Sequence, residues 1–503
     1  MLFNTVSELS QKLTKVAEAG TNAARDASRD SRHATRVLLV LTGVSLLVNY
    51  VETMVIPGVP TIQKDLSTTA TIASWITSAY LIVGSAVSPL FGKLGDIYGK
   101  KKMFLISLIF YMAGVGIAGF SPSIYFLLFA RALQGVGFAI IPLSLAIISD
   151  VFPREKVGMA QGIISGTFAI GAAAGLVIGS YVVQDLGWQY AFHTALILSF
   201  VLFFAVSRVL RKDVPGTKTR VDYLGAAILM AGVTLILVYL TEGPTLGWVS
   251  LEEIAMLAPG VVLTIFFFIF ESKRSDPLIH LGLLRIRNVL VANLVGLISG
   301  IVMFLLFFAV VYYTELPSTF GLNLNVIAAG LTLAPSTLGM IVMGPSIGKA
   351  MAKFGPRPML VLGSVLQIAG LLLFIVNRTT RTDVAIDLVL SLAGIVATIV
   401  PIVNMITTSL PRQNVAVGLG MNTMLRNLGG AIGPVLATSI MASYSRPFVV
   451  QGVHIAQFPT GTAFDIIFGI GIGLTVLVIA ISLATKNYTF GKGGQQAASN
   501  PPH

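Results

Sequence analysis

Long apolar runs recur along the whole chain and limit its fold more than any other feature. The stretch "MFLISLIFYMAGVGIAGF" (103–120) holds no charged residue, and runs of similar length stand on both sides of it. An apolar run of about 20 residues crosses a bilayer as a helix, because lipid offers the backbone no hydrogen-bond partner. Charged residues make up only 11% of the 503-residue chain, against about 25% in soluble domains. The chain is therefore predicted to be an all-α polytopic membrane protein.

Fourteen candidate spans can be placed on the sequence. They lie near residues 37–58, 72–91, 103–120, 125–149, 158–183, 190–209, 222–240, 255–270, 290–313, 326–347, 358–376, 384–409, 415–442 and 464–485. Several contain glycine or proline, which membrane helices tolerate better than soluble helices do. An even number of spans predicts that both termini lie on the same side of the membrane.

Lysine and arginine are distributed unevenly over the predicted loops. With a cytoplasmic N-terminus, the inner segments hold 27 of the 33 basic residues and the outer loops hold four, while Arg131 and Arg426 fall inside spans. Cytoplasmic loops of membrane proteins carry this excess of positive charge. The distribution predicts cytoplasmic N and C termini in the plasma membrane. It also explains the net charge of +12 without a nucleic-acid partner, because basic loops face anionic membrane lipids.

The segment "GKLGDIYGKKK" (92–102) interrupts the apolar pattern with three glycines, four lysines and one aspartate. It is predicted to be a tight cytoplasmic turn between spans two and three, since glycine lets the chain reverse where side chains would clash. Two interpretations are open: a short basic loop, or a gate that controls opening at the inner side. The residues assigned to the gate are Gly92, Gly95, Asp96, Gly99 and Lys100.

The sequence around this turn occurs twice. "SPLFGKLGDIYGKK" (88–101) and "GPSIGKAMAKFGPR" (344–357) share Pro-x-x-Gly-Lys and an aromatic-glycine pair at an offset of 256 residues. Such internal repeats are common in secondary transporters, so the layout is predicted as six spans, a two-span insert and six spans. The predicted domains are a cytoplasmic tail at 1–35, a six-helix bundle at 36–210, an insert with linkers at 211–289, a second six-helix bundle at 290–485 and a cytoplasmic tail at 486–503. In the first tail, Leu9, Leu13 and Val16 indicate either an amphipathic helix on the inner leaflet or a tail without a role.

Motifs in three further places, together with the turn at 92–102, match one transporter family. The motifs are "RALQGVGFAIIP" (131–142), "ESKRSDPLIHLGLLRIR" (271–287) and "LRNLGGAIGP" (425–434). The chain resembles the major facilitator superfamily, specifically its fourteen-span drug:proton antiporter family, from about residue 37 to 485. The resemblance implies a secondary transporter that works by alternating access and exchanges protons for lipophilic or cationic compounds. The implied partners are that substrate, protons and membrane lipids, and the chain is expected to act as a monomer.

Span five departs from the family pattern, which reads Gly-x-x-x-Gly-Pro-x-x-Gly-Gly. Here "GAAAGLVIGS" (171–180) has Leu176 in place of the proline and Ser180 in place of the last glycine. The glycines that remain at four-residue spacing are Gly171, Gly175 and Gly179. They lie on one helix face and permit close helix contact. The face is either a packing surface alone or an antiporter-like motif.

Three ionisable residues inside the predicted spans are candidates for coupling protons to substrate: Glu52, Arg131 and Arg426. Charged residues within membrane segments are functional candidates by default. At about 1.5 Å per residue, Glu52 and Arg131 both lie roughly 10 Å below the outer face, where they can pair. The resemblance places the usual first-span acid at Val51, so Glu52 is shifted by one residue. Arg426 has no acidic partner in the second half of the sequence, and a purely structural ion pair of Glu52 and Arg131 is the alternative reading.

Three function classes fit these observations. They are a proton-coupled exporter of lipophilic or cationic compounds, a symporter or facilitator of one defined solute, and a non-transporting membrane receptor. A specific solute needs several fixed polar partners, whereas a multidrug cavity needs apolar surface and one acid. Few polar residues occur at cavity depth, which favours the exporter. The absence of cysteine excludes thiol catalysis and Cys-based metal sites. The sequence shows no His/Glu metal cluster and no nucleophile constellation, so neither an enzyme nor a cofactor is expected. It also shows no ATP-binding domain, so a proton gradient is the expected energy source.

Overall fold

The computed structural model describes residues 32–211, 221–274, 277–450 and 454–488, which form mainly long helices. The predicted amphipathic helix of the N-terminal tail lies outside the described residues. The first six helices are α1 (Arg32–Asp65), α2 (Ala70–Tyr98), α3 (Lys100–Gly119), α4 (Ile124–Val151), α5 (Arg154–Asp185) and α6 (Trp188–Val209). The insert contains α7 (Tyr223–Leu246) and α8 (Leu251–Ser272). The remaining helices are α9 (Arg287–Glu315), α10 (Val326–Phe354), α11 (Pro356–Val376), α12 (Arg381–Ser409), α13 (Arg412–Ser443) and α14 (Gly461–Leu483).

Twelve of these fourteen helices are long and apolar enough to cross a membrane. The other two are α10, in which the described residues Val326–Thr337 form a shorter apolar segment, and α13, which contains two arginines and three asparagines. The all-helical membrane architecture is therefore confirmed. The number of fourteen spans and the arrangement of six, two and six stay predictions.

The segment 92–102 is mostly helical, unlike the turn that the sequence predicted. Helix α2 continues to Tyr98 and α3 begins at Lys100, so Gly99 alone separates them, with φ of +101°. Glycine adopts this backbone conformation at little cost because it has no Cβ atom. We call the end of the bundle that carries Gly99 the loop end, and the opposite end the far end.

The same break recurs in the second part of the chain. Gly355 separates α10 from α11 and has φ of +84°. Helices α2 and α10 begin at Ala70 and Val326, and α3 and α11 begin at Lys100 and Pro356. Each pair is offset by 256 residues, the offset of the repeated sequence. The two copies of the motif therefore occupy equivalent places in the fold.

Helices α1–α6 form one group and α9–α14 a second, which we call the first half and the second half. They meet where α2 packs on α13 and where α5 packs on α10. Ser78 Oγ on α2 donates to the Ala431 carbonyl on α13 at 2.6 Å. Tyr312 of α9 donates through its hydroxyl to Gln63 Oε1 of α1 at 2.8 Å. Both hydrogen bonds lie toward the far end, so this end holds the halves together.

Packing between α5 and α10 is closer at the far end than at the loop end. A Cβ atom added at Gly330, near the far end of α10, would lie 2.5 Å from the Leu176 carbonyl oxygen of α5. Toward the loop end, an added Cβ at Gly158, Gly162 or Gly348 would have no described atom within 4 Å. The described contacts between α5 and α10 are therefore closest at the far end.

The insert packs beside the contact between the two halves. Trp75 Nε1 of α2 donates to Thr241 Oγ1 of α7 at 2.8 Å, and Ser439 Oγ of α13 donates to the Leu240 carbonyl of the same helix. Helix α8 packs on α7, where a Cβ at Gly232 would meet Thr264 Oγ1 at 2.7 Å. Helix α7 therefore contacts both halves.

A short β-hairpin follows α13, although no strand was predicted from the sequence. Strand β1 (Ser445–Val450) pairs antiparallel with β2 (His454–Pro459) at the far end. Phe448 of β1 and Phe458 of β2 contact Phe320, with ring centroids 5.4 and 5.3 Å away. These aromatic contacts hold the hairpin against the loop between α9 and α10.

We expect Gly99→Ala to reduce stability by about 1–3 kcal/mol, because a side chain is strained at this backbone conformation. The measurement is the thermal unfolding midpoint of the purified protein in detergent. Gly92→Ala is the matched control, because Gly92 is helical and an added Cβ would meet no described atom within 4 Å. Equal midpoints for the two variants would contradict the role assigned to Gly99.

Candidate functional site

Glu52 is a buried acid near the contact between the two halves. It lies on α1 and is only 4% exposed. Within the described residues its carboxylate makes no hydrogen bond and no close ion pair. The charges that act on it most strongly are those of Arg426 in the second half and then Arg131 in the first half. Burying a carboxylate is costly without compensating charge, and these two cations offset part of that cost.

Arg131 is held by neighbours other than Glu52. It lies fully buried on α4, where Nε donates to the Ile76 carbonyl at 2.8 Å and Nη1 donates to Gln134 Oε1 at 2.7 Å. Its guanidinium also lies 4.4 Å from the ring centroid of Tyr80, a distance suited to a cation–π interaction. Among the described residues no close ion pair joins Glu52 to Arg131, so the direct pairing that the sequence suggested stays a prediction. The positive charge of Arg131 acts on Glu52 electrostatically, from beyond the distance of a close ion pair.

Arg426 reaches from the second half to the first. It lies on α13, and its guanidinium stands 5.8 Å from the ring centroid of Phe168 on α5. Glu52 is the charged group that acts on it. The sequence offered Arg426 no acidic partner because only acids of the second half were considered, whereas the acid belongs to the first half.

Several buried polar atoms beside Arg131 have no hydrogen-bond partner among the described residues. They are Arg131 Nη2, Gln134 Nε2 and the Tyr80 hydroxyl. The sequence analysis did not identify Tyr80 or Gln134, although Gln134 stands one helical turn after Arg131. These atoms add further N–H donors and one hydroxyl to the buried surroundings of Arg131.

The glycine face of α5 packs on the part of α1 that carries the acid. The three glycines of this face are Gly171, Gly175 and Gly179. A Cβ at Gly175 would lie 2.2 Å from Thr53 Oγ1, next in sequence to Glu52. Thr53 Oγ1 also donates across the contact to the Ala172 carbonyl at 3.1 Å. The face is therefore a packing surface that fixes the position of Glu52 relative to α5.

The two departures from the family pattern on α5 lie at the contact with the second half. A Cβ at Gly330 of α10 would be 2.5 Å from the Leu176 carbonyl oxygen and 2.5 Å from Ser180 Oγ. The residues that replace proline and glycine therefore sit on the far-end contact between the halves. One helix, α5, connects this contact to the helix of Glu52.

The proposed gate residues lie together at the loop end. Lys100 Nζ forms an ion pair with Asp150 Oδ2 at 2.6 Å, and Lys101 Nζ donates to the Ser207 carbonyl at 2.8 Å. Asp96 is exposed and makes no hydrogen bond or ion pair within the described chain. In the described conformation the lysines, rather than Asp96, anchor this segment.

Asp387 is a second buried acid, which the sequence analysis missed. It lies on α12, is 4% exposed, and its Oδ2 has no partner among the described residues. It stands 256 residues after Arg131, the offset that separates the two loop motifs. Adding the offset of 256 residues to every charged position, and not only to those of the loop motif, would have identified Asp387.

The comparison with known protein families agrees with this geometry. Residues 41–434 match the family model of the Major Facilitator Superfamily. The chain belongs to the Major Facilitator Superfamily. Members of this superfamily are generally transporters and not enzymes, and the described residues hold no group of three His, Asp or Glu side chains placed to bind a metal ion.

Several curated relatives of this superfamily member carry names that refer to drug resistance. The chain is 27% identical over 348 residues to "Multidrug resistance protein 3" of Bacillus subtilis, which covers 69% of this chain and 67% of the relative. It is 28% identical over 417 residues to the "Tetracenomycin C resistance and export protein" of Streptomyces glaucescens, covering 81% and 76% of the two chains. Among solved structures, human organic anion transporter MFSD10 (TETRAN) matches with a TM-score of 0.55 and 18% identity, over 89% of this chain and 99% of that chain. That structural match shows the fold alone.

Gly175→Ala is expected to destabilise the protein by about 1–3 kcal/mol, because the added Cβ overpacks the contact of α5 with α1. Thermal unfolding of the purified variant in detergent measures the effect. Gly166→Ala on the same helix is the control, because an added Cβ there meets no described atom within 4 Å. Two variants of equal stability would show that the glycine face does not set this contact.

Proposed function

We propose that the chain is a proton-coupled exporter of lipophilic cations that works by alternating access. The observation that carries this proposal is the buried Glu52, which is acted on by one arginine from each half. An acid in this position can take up a proton or attract a cation. Either event changes the attraction between Glu52 and Arg426, and with it the attraction between the halves.

The proposed cycle rests on competition for one carboxylate. Ionised Glu52 provides the counter-charge for a cationic substrate that enters from the loop end. A proton that reaches Glu52 from the far end neutralises the carboxylate, so the substrate loses its counter-charge and leaves. Release of that proton at the loop end restores the acid. Arg131 adds fixed positive charge that opposes binding of a second cation.

Aromatic side chains near the acid are consistent with a lipophilic substrate. Tyr80 and Phe138 pack with ring centroids 4.6 Å apart, and Phe168 lies beneath Arg426. An apolar pocket with few fixed polar groups suits varied ligands. The printed names of the curated relatives, which refer to multidrug resistance and to tetracenomycin C export, point in the same direction.

We further propose that all fourteen helices cross the plasma membrane as six, two and six, with both termini and the loop end in the cytoplasm. The distribution of 27 inner and four outer basic residues supports this orientation. Asp96 and the surrounding glycines would act when the loop end closes, and the chain is proposed to work as a monomer without a cofactor.

The alternative is a symporter or facilitator of one defined solute. The unpartnered atoms of Arg131, Gln134 and Tyr80 favour it, because they can bind a fixed polar group. An imposed pH difference separates the two functions. In inside-out vesicles, acidification of the interior should drive uptake of a cationic dye by a proton-coupled exporter. A solute facilitator would not accumulate the dye.

Glu52→Gln is expected to abolish dye accumulation driven by a proton gradient, because glutamine keeps the size of the side chain but can neither bind nor release a proton. Uptake into inside-out vesicles after a pH jump is the measurement. Asp387→Asn is the matched control, since it neutralises a buried acid on which no described arginine acts, and it should retain accumulation. Wild-type accumulation by Glu52→Gln would place the proton site elsewhere, and loss in Asp387→Asn alone would point to α12.

Arg426→Gln is expected to reduce uphill accumulation at least tenfold while dye binding survives. The reason is that the change removes the charge by which Glu52 acts on the second half. Equilibrium dye binding to purified protein and gradient-driven uptake are measured side by side. Arg426→Lys, which keeps the charge, should recover part of the uptake. Equal loss of binding and uptake in both variants would instead indicate that Arg426 contacts the substrate directly.

A further inference from the structure

Two buried acids meet at the loop end of the insert, apart from Glu52. Asp222 caps the first turn of α7 and is 6% exposed, and Glu271 lies in the last turn of α8 and is 1% exposed. Neither belongs to the first or the second half. Both occupy the point where the insert continues into the linker to α9.

Each acid uses one carboxylate oxygen to accept a backbone hydrogen bond. Asp222 Oδ1 accepts from the Gly225 amide at 2.9 Å. Glu271 Oε2 accepts from the Ile279 amide of the linker at 3.0 Å. These bonds fix both side chains, so the remaining oxygens cannot turn away without breaking them.

The other two oxygens converge on one place and lack a donor. Asp222 Oδ2 and Glu271 Oε1 have no hydrogen-bond partner among the described residues. A Cβ atom added at Gly225 would lie 2.7 Å from Asp222 Oδ2 and 2.5 Å from Glu271 Oε1. The two carboxyl groups are also within hydrogen-bond reach of each other. Two acceptors in this position require a proton or a cation between them, because two adjacent carboxylates cannot both stay ionised at low cost.

The positively charged groups nearby do not fill this role. Arg274 Nη2 lies 3.9 Å from Asp222 Oδ1, which is the capping oxygen and not the free one. Lys93 of α2 donates to the Pro277 carbonyl at 3.0 Å, and His280, which lies on the same linker, makes no bond to either free oxygen. Both free oxygens lie so close to the backbone at Gly225 that an added Cβ atom would overlap them. A space this small suits a proton better than a hydrated metal ion.

We propose that Asp222 and Glu271 share one proton and form a buried proton-binding site outside the transport path. The shared proton bonds Asp222 Oδ2 to Glu271 Oε1 and joins α7 to α8. Through Ile279 the same pair holds the linker, which Lys93 also ties to the end of α2. The site therefore fastens the insert to the segment that enters the second half.

The pair makes stability depend on pH. Separate carboxyl groups in an unfolded chain are ionised at neutral pH, whereas the folded pair retains one proton. Folding then takes up a proton, so the contribution of the pair is full at acidic pH and decreases as pH rises until the proton is lost. Over that range the unfolding equilibrium constant should increase by up to tenfold per pH unit.

Infrared difference spectroscopy of the purified full chain at neutral pH tests the proposal, because a protonated carboxyl has a carbonyl band that a carboxylate lacks. Asp222→Asn and Glu271→Gln should each lose one such band, since either amide donates to the remaining carboxylate in place of the proton. The double variant should lose the same single band. Glu252→Gln, an exposed acid on α8, is the control and should lose none.

Loss of two bands in the double variant would mean two independently protonated acids and would overturn the proposal. No loss in any variant would mean that both acids are ionised around a cation, which also overturns it. As a second measurement, the thermal midpoint between acidic and alkaline pH should vary less in Glu271→Gln than in the wild type. Neither measurement requires transport, so their outcome is independent of the function proposed for Glu52.

Discussion

The attraction between Glu52 and Arg426 is the interaction on which the proposed function depends, because it crosses the contact between the two halves. A carboxylate buried among apolar helices is unfavourable unless positive charge compensates it. Here the compensation comes partly from Arg131 in the same half and more strongly from Arg426 in the other. Since neither arginine forms a close ion pair with the acid, neither occupies the carboxylate oxygens that the proposed function assigns to a proton or a substrate.

Close helix packing determines where the Glu52 carboxylate lies. In lipid the hydrophobic effect does not draw helices together, so small residues that let backbones approach are important. The glycine face of α5 brings α1 so near that a Cβ at Gly175 would overlap Thr53. The other side of α5, at Leu176 and Ser180, meets Gly330 of α10. A movement of the second half against α5 would therefore be transmitted to the helix that carries Glu52.

The insert adds contacts that a structure of two six-helix halves lacks. Helix α7 bonds to α2 through Thr241 and to α13 through the Leu240 carbonyl, so it touches both halves at their contact. At the loop end, Asp222 and Glu271 attach it to the linker. These two groups of contacts lie at opposite ends of α7. This placement suggests a helix that stabilises the contact between the halves, rather than one that lines the transport path.

The sequence by itself determined the membrane class, the positions of most helices, the repeat at an offset of 256 residues and the candidate charges, because these depend on local hydropathy and on residues near each other in the chain. It misplaced the ends of α2 and α3, since glycine and lysine at 92–98 are compatible with helix as well as turn.

Only the tertiary structure decided that Arg426 acts on Glu52, that Arg131 bonds to Ile76 and Gln134, and that Asp222 meets Glu271. Apart from the bond of Arg131 to Gln134, these contacts join different helices. The physical reason is that hydropathy places a helix in the membrane but does not specify its rotation or its neighbours, and both are set by side-chain packing between helices.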